Sequence, residues 1–217
     1  MINAYNKLYV GLAQKNLGRM LDYLVNTGGY ALEESWDMFL VSNASRRFEQ
    51  GDCSIIAGLS GIELAYEVLR DANQPVEDKN VLCEINKSRE YWTGWSIAYY
   101  QWKTAIKFYE INEIASITDI RDMYNPYHEM DSEHFVDKMN ALYWDKNQLT
   151  HLEERRCLMR LSQSELSQLS NVSVRTIQQY EQRQKDINKA KAETLFRFSK
   201  LLKCDMEDLL EKIPCNN

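Results

Sequence analysis

The residues between Ser162 and Glu181 carry the side chains whose types and spacing suggest the most specific chemistry in this chain. They read as two short helices joined by a tight turn. Four outward positions on the second helix are mostly hydrogen-bonding groups: Val174, Arg175, Gln178 and Gln179. Arginine pairs with the acceptors of guanine and glutamine with the edge of adenine, both in the DNA major groove. The pattern therefore predicts a helix that reads DNA bases.

Capping residues position the two predicted helices. Ser162 and Glu165 have the spacing of a capping box, so the first helix is predicted to begin at Gln163. Asn171 stands at the turn, where a residue that tolerates positive φ is needed, and Ser173 caps the second helix. Four apolar residues are expected to pack the pair together: Leu166, Leu169, Val172 and Ile177.

The segment from about Thr150 to Glu211 resembles the Cro and phage-repressor type of helix-turn-helix, the Xre family. The resemblance implies that Gln163 contacts a phosphate and that the early outward residues of the second helix contact bases. Together with the cap and the basic residues that follow, the predicted DNA contacts are Gln163, Ser173, Val174, Arg175, Thr176, Gln178, Gln179, Arg183 and Lys185.

Later features of that family are also present. Tyr180 and Glu181 close the second helix, a fourth helix would carry Leu195, Phe198, Leu201 and Leu202, and residues 205–210 would form a short fifth. The departures are Ser167 for the usual Ala, Asn171 for the turn Gly, and Gln182-Arg183 for the Gly that normally ends the recognition helix. The last departure suggests a longer or differently capped helix.

The charge distribution favours two domains. Residues 1–150 contain 14 basic and 22 acidic side chains, a balance of −8, whereas residues 155–203 contain 11 basic and 4 acidic, a balance of +7. A basic block at the motif suits contact with phosphates. An acidic domain is repelled by DNA, so its partner is expected to be a protein or a second copy of itself. We predict domains at 1–149 and 150–217.

The five cysteines are widely spaced and form no Cys-x-x-Cys pair, which argues against a zinc site or a disulfide framework. No signal-peptide pattern or membrane-length apolar run is seen, so a cytoplasmic protein without membrane contact is expected. No cofactor is predicted.

Long helices are expected in residues 1–149, because prolines and glycines are few. The predicted spans are 4–26, 32–48, 61–69, 86–109, 117–124 and 131–143, with a linker at 144–149. A capping box at Ser60 and Glu63 opens the third span. In the fourth, aromatic and apolar residues recur at intervals of three and four: Trp92, Trp95, Tyr99, Trp102, Ile106 and Tyr109. This seam is interpreted as core, and the alternative is that part of it forms a dimer or partner groove.

The order of short motifs in this region loosely resembles a region that precedes the Xre domain in some bacterial regulators, a few of them antitoxins. The motifs are Gly28-Gly29-Tyr30, Phe39, residues 48–51, residues 58–65 and residues 91–95. The resemblance assigns no active-site role to any of them.

Residues typical of catalysis or metal binding are sparse. His128, Asp131 and His134 form the metal-like cluster, but their spacing fits no common zinc motif. Ser60 lacks the Gly-x-Ser-x-Gly setting of a nucleophile, and capping accounts for it. We therefore predict that the chain is not an enzyme, and an enzymatic activity would have to be an unrecognised one in residues 1–149.

These observations predict an all-α protein with a helical N-terminal domain and a C-terminal five-helix, Cro-like domain. The predicted function is that of a sequence-specific regulator, most simply a repressor, which binds a palindromic operator on double-stranded DNA as a homodimer. The alternative is an antitoxin that neutralises a toxin through residues 1–149 and represses its own operon.

Overall fold

The computed structural model describes residues 3–76 and 87–213, and within these two ranges every regular element is a helix. The predicted all-α fold is confirmed. Contacts within the chain divide it into two compact units, residues 1–143 and 144–217.

The first unit contains α1 (Val10–Asp22), α2 (Leu32–Val41), α3 (Asn43–Glu49), α4 (Cys53–Ile56), α5 (Gly61–Asp71), α6 (Arg89–Thr104), α7 (Phe108–Ile114), α8 (Ile117–Asp122) and α9 (Tyr124–Tyr127), and α10 (Ser132–Lys146) begins in it. The second contains α11 (His151–Leu158), α12 (Gln163–Ser170), α13 (Val174–Glu181) and α14 (Ala192–Leu202). Single 3₁₀ turns cover Lys7–Tyr9, Ile187–Lys189 and Glu207–Leu209, and a π turn at Tyr23–Thr27 continues α1.

Glycines bring α1 and α6 into close contact at the centre of the first unit. A Cβ atom added at Gly94 would lie 2.5 Å from the Leu17 carbonyl oxygen, and one at Gly18 would lie 2.6 Å from that of Tyr91. Both distances are too short for any side chain. Gly94 and Gly18 therefore allow the two helices to approach closely.

The span predicted as one helix over 86–109 is two helices. Ser88 caps α6 by accepting a hydrogen bond from the Tyr91 amide (3.0 Å), and Ala105 ends it with a φ of 54°. Tyr109 therefore lies on α7, where it is 50% exposed. Asn86, the predicted first residue, lies outside the described residues.

The seam of α6 is largely core. Trp92 and Trp102 are buried, and Trp95 and Tyr99 are half-buried; Ile106, which follows the end of α6, is buried as well. Burial also includes polar residues on other faces of the helix, namely Thr93, Ser96 and Gln101, so α6 is enclosed on most of its circumference.

The predicted helix over 32–48 is interrupted at Ser42. This residue is extended (φ −71°, ψ 156°), and its hydroxyl accepts from the Ser45 amide (3.1 Å) to begin α3. The Asn43 amide in turn donates to the Asp71 carboxylate (2.8 Å). The break turns Phe48 toward the aromatic cluster of Trp36, Phe39 and Phe108, in which neighbouring ring centroids lie 5.0–5.9 Å apart.

Other boundaries follow the sequence more closely. The first helix ends before Gly29 as predicted, but it starts at the 3₁₀ turn Lys7–Tyr9 rather than at Ala4. The capping box of Ser60 and Glu63 is present. Asn125 leaves helical geometry (φ −95°, ψ 125°), in agreement with the end of the predicted span at residue 124, although the short α9 was not predicted. The predicted linker at 144–149 is helical as far as Lys146.

The second unit has its own apolar core. Its buried members come from all four of its α-helices and both 3₁₀ turns: Leu152, Leu166, Ile177, Tyr180, Ile187, Leu195, Phe198, Leu202 and Leu209. The predicted fourth helix is α14, and the predicted fifth is the turn Glu207–Leu209.

Candidate nucleic-acid interface

Two capped helices form the framework of the candidate interface. The Ser162 hydroxyl accepts from the Glu165 amide (3.1 Å), and the Glu165 carboxylate accepts from the Ser162 amide (2.8 Å), so α12 begins at Gln163 as predicted. The Ser162 hydroxyl also donates to the Glu165 carboxylate (2.7 Å), and this hydrogen bond, together with that from the Ser162 amide, lowers the pKa of Glu165. Asn171 takes left-handed geometry (φ 56°, ψ 33°), which confirms its predicted place at the turn.

The packing between α12 and α13 uses most of the predicted apolar residues. Leu166 and Ile177 are buried, and Val172 packs against the same core. Leu169 does not, since it is 59% exposed, and Ser170 is buried instead. Residues four apart face the same side of a helix more closely than residues three apart, so the inner face of α12 passes through Leu166 and Ser170.

The outward residues of α13 differ in their exposure and in their hydrogen bonds within the chain. Arg175 is exposed on the first turn, and Val174, Gln178 and Gln179 are half-buried beside it. Ser173 accepts from the Thr176 amide (3.2 Å), and the two hydroxyls lie 2.8 Å apart. Ser173 and Thr176 are therefore engaged in the helix cap, while Arg175 has the most accessible donor group.

A polar network holds α13 against its neighbours. Glu181, at the end of α13, is 6% exposed and accepts two hydrogen bonds from Arg156 of α11, one from Nε (2.7 Å) and one from Nη2 (2.9 Å). Arg156 also donates to the Leu161 carbonyl (2.8 Å). The paired carboxylate raises the pKa of Arg156. Such bidentate pairs fix orientation as well as distance.

Gln163 joins this network from the first turn of α12. Its Nε2 donates to the Glu181 carboxylate (2.7 Å), and its Oε1 accepts from Gln178 Nε2 (3.3 Å). Two of the predicted DNA contacts, Gln163 and Gln178, are thus connected to each other in the folded chain. Sequence reasoning missed the part of Arg156. The signal that could have revealed it is a pair of opposite charges, Arg156 shortly before the motif and Glu181 at its last position.

The recognition helix α13 ends at the position where the family normally has a glycine. Arg183 adopts a φ of 56°, and its amide donates to the Tyr180 carbonyl (3.1 Å), so α13 is capped rather than lengthened. The Arg183 guanidinium lies over the Trp144 ring (4.4 Å) and donates to the Asn147 carbonyl. Lys185 remains exposed, with its ammonium 5.4 Å from the Tyr180 ring.

The residues of the predicted metal-like cluster, His128, Asp131 and His134, lie outside this interface. The Nδ1 atom of His128 lies 2.9 Å from the Tyr124 carbonyl oxygen. In residues 3–76 and 87–213, no three His, Cys, Asp or Glu side chains are grouped so that they could hold a metal ion. Over the same ranges, no helix is long and apolar enough to cross a membrane.

Residues 152–209 match a family model described as helix-turn-helix. No curated protein and no solved structure matches the chain. The match covers α11 to the turn Glu207–Leu209, which is the part predicted to be Cro-like. The chain thus carries a helix-turn-helix domain at its C-terminal end, and this domain indicates a DNA-binding transcription regulator.

Proposed function

We propose that this chain is a sequence-specific repressor of the Xre type, which binds a palindromic operator as a homodimer. The observation that carries the proposal is the outward face of α13, where Arg175 is exposed on the first turn and the half-buried Gln178 and Gln179 follow on the second. Recognition helices contact base edges mainly with their N-terminal residues, which is where α13 presents Arg175, and the two glutamines follow within the next turn.

The polar network supports this role. Gln163 and Gln178 are hydrogen-bonded to each other, and both are connected to the buried Glu181. Side chains that are already oriented lose less conformational entropy on binding than free ones. The basic balance of residues 155–203 supplies the attraction to phosphates, which is independent of sequence.

The acidic balance of residues 1–150 supports a separate role for the first unit. A net negative surface disfavours DNA and suits contact with a protein. Self-association would provide the dimer. Binding of a toxin is the second candidate, and it would make the chain an antitoxin that also represses its own operon. Neither role requires catalysis, and we propose no enzymatic activity.

The base-reading role is tested with Arg175→Ala in full-length protein. Operator affinity is expected to fall by about 1 to 3 kcal/mol, with discrimination lost at one base pair, because a bidentate contact to guanine would be removed. Titration of fluorescent DNA carrying every single-base change in the operator measures both effects. Lys200→Ala on α14 is the matched control, since it removes one exposed positive charge outside the predicted contacts.

Equal weakening on all DNA sequences after Arg175→Ala would contradict base reading and leave Arg175 a phosphate contact. The antitoxin candidate is tested separately by co-purification of the full chain with the product of the adjacent gene. Operator binding without any such complex would contradict the antitoxin candidate, and the repressor role would be the one that remains.

A further inference from the structure

A cavity of about 620 Å³ lies in the first unit between α6 and the segment formed by α9 and the start of α10. Small-molecule sites in proteins commonly have volumes of about 300 to 1,000 Å³. Six aromatic side chains supply most of its wall: Tyr91, Trp92, Trp95, Tyr124, Tyr127 and Phe135. The cavity is distant in sequence from the helix-turn-helix domain and has no part in the proposed DNA contacts.

Contacts among the rings hold this wall in place. Trp92 makes edge-to-face contacts with Tyr124 and with Phe135, each with centroids 5.6 Å apart. His128 stacks on Tyr124 at 4.0 Å, with the planes inclined by 10°. The distance of 2.9 Å from its Nδ1 to the Tyr124 carbonyl oxygen makes Nδ1 the donor. Interlocked rings of this kind form a preformed surface for a planar ligand.

Of the residues that the structure describes, one charged side chain lines the cavity, and it is basic. Lys87 lines it, with its ammonium 4.9 Å from the Tyr91 ring, and the Arg89 guanidinium lies 5.6 Å from the Tyr124 ring. Among the described lining residues, none carries a carboxylate. The Glu129 carboxylate, 3.6 Å from His128 Nε2, is not part of the lining and is 78% exposed.

The positive charge of Lys87 distinguishes between cationic and anionic ligands. Aromatic cages also bind quaternary ammonium groups, but a lysine in the wall would repel such a cation. An anionic group is attracted by Lys87 and Arg89, and the hydroxyls of Ser96 and Ser132 in the lining are available for hydrogen bonds.

We propose that this cavity binds a small planar aromatic molecule with a carboxylate or similar anionic group, its ring between the aromatic walls and its anion near Lys87. In a transcription regulator such a molecule acts as an effector. That role rests on the proposed function, whereas the binding does not, so binding is measured on full-length protein without DNA.

The probe is 2-naphthoate, titrated by isothermal calorimetry against the neutral 2-naphthalenemethanol and the cationic (2-naphthylmethyl)trimethylammonium. One naphthoate per chain is expected, bound about two to five times more tightly than the neutral analogue, as for a solvent-accessible ion pair. The cation is expected to bind most weakly. Absence of naphthoate binding up to millimolar concentration, or tighter binding of the cation, would overturn the proposal.

Two variants locate the site. Lys87→Gln is expected to remove the preference for naphthoate over the neutral analogue. Lys107→Gln is the matched control, because Lys107 is also exposed and lies 5.8 Å from a tyrosine ring, that of Tyr109, outside the cavity. Trp95→Ala, at a half-buried wall residue, should weaken naphthoate about tenfold or more. If neither cavity variant changes binding while both remain folded by circular dichroism, the ligand binds elsewhere and the assignment is wrong.

Discussion

The carboxylate of Glu181 determines how several side chains of the candidate interface are oriented. Its side chain is 2% exposed, and it accepts hydrogen bonds from Arg156 and Gln163. A buried ion pair of this kind adds little net stability over an apolar pair, but removal of one partner is costly. Its value here is orientation, because Gln163 and Gln178 meet through the same network.

Replacement of Glu181 by Ala is expected to lower the free energy of unfolding of the second unit by about 3 kcal/mol. The reason is that Arg156, whose side chain is 11% exposed, would lose its bidentate partner. Urea denaturation followed by circular dichroism measures the change. The double variant Arg156→Met, Glu181→Leu serves as the comparison and is expected to be more stable than Glu181→Ala alone. If the double variant were the less stable of the two, the charge would not be the cause of the loss.

At the scale of elements, the contact of α1 with α6 depends on the absence of a side chain. Gly94→Ala is expected to destabilise the first unit by about 1 to 3 kcal/mol, because the new Cβ would lie 2.5 Å from the Leu17 carbonyl oxygen and 2.9 Å from the Gly18 Cα. Thermal unfolding measures this loss.

Gly11 offers the matched control for Gly94. It lies on α1, is exposed, and a Cβ there would meet nothing within 4 Å. Gly11→Ala should therefore stabilise the helix by about 0.5 to 1 kcal/mol. Similar effects of the two substitutions would show that close packing at Gly94 is unimportant.

The stability that the capping box gives to the start of α12 should depend on pH. The pKa of Glu165 is lowered in the folded chain by hydrogen bonds from Ser162. A depressed carboxyl pKa contributes stability above its unfolded value of about 4.3, and this contribution is lost as pH falls through the folded pKa. The difference in stability between the native chain and Glu165→Gln should therefore shrink on acidification. A difference that is constant from neutral pH to below the folded pKa would refute this account.

Sequence patterns predicted elements best where local chemistry determines them. The capping boxes at Ser60 and Ser162 and the turn at Asn171 depend on neighbouring residues only, and all three are present. The break at Ser42 was missed, because it depends partly on Asp71, whose carboxylate accepts from the Asn43 amide across the fold. The end of α6 at Ala105 was missed as well, since alanine gives no sign of positive φ.

The candidate interface shows the same division. The exposure of Arg175 follows from helical periodicity within α13 and could be predicted. The connection of Arg156 to Glu181 joins residues 25 positions apart and depends on how three helices pack. Arg183 was predicted to contact DNA, and its contacts with Trp144 and Asn147 arise from folding of the segment that precedes α11.

At the scale of the whole molecule, a single helix-turn-helix domain contacts too little DNA for tight specific binding. We expect the full chain to protect two half-sites whose centres are about 10 base pairs apart, or a multiple of that spacing. Footprinting measures the spacing, and sedimentation of the DNA-free protein measures its oligomeric state. A lone protected half-site together with a monomer in solution would contradict the proposed dimer.

The positions of the tryptophans have a practical consequence for spectroscopy. Four of the five precede residue 103, and Trp36, Trp92 and Trp102 among them are buried in the first unit. The fifth, Trp144, belongs to the second unit and lies under the Arg183 guanidinium. Intrinsic fluorescence during denaturation therefore records mainly the melting of the first unit. A chain that keeps Trp144 and has phenylalanine at the other four positions would provide an optical reporter for the end of the recognition helix.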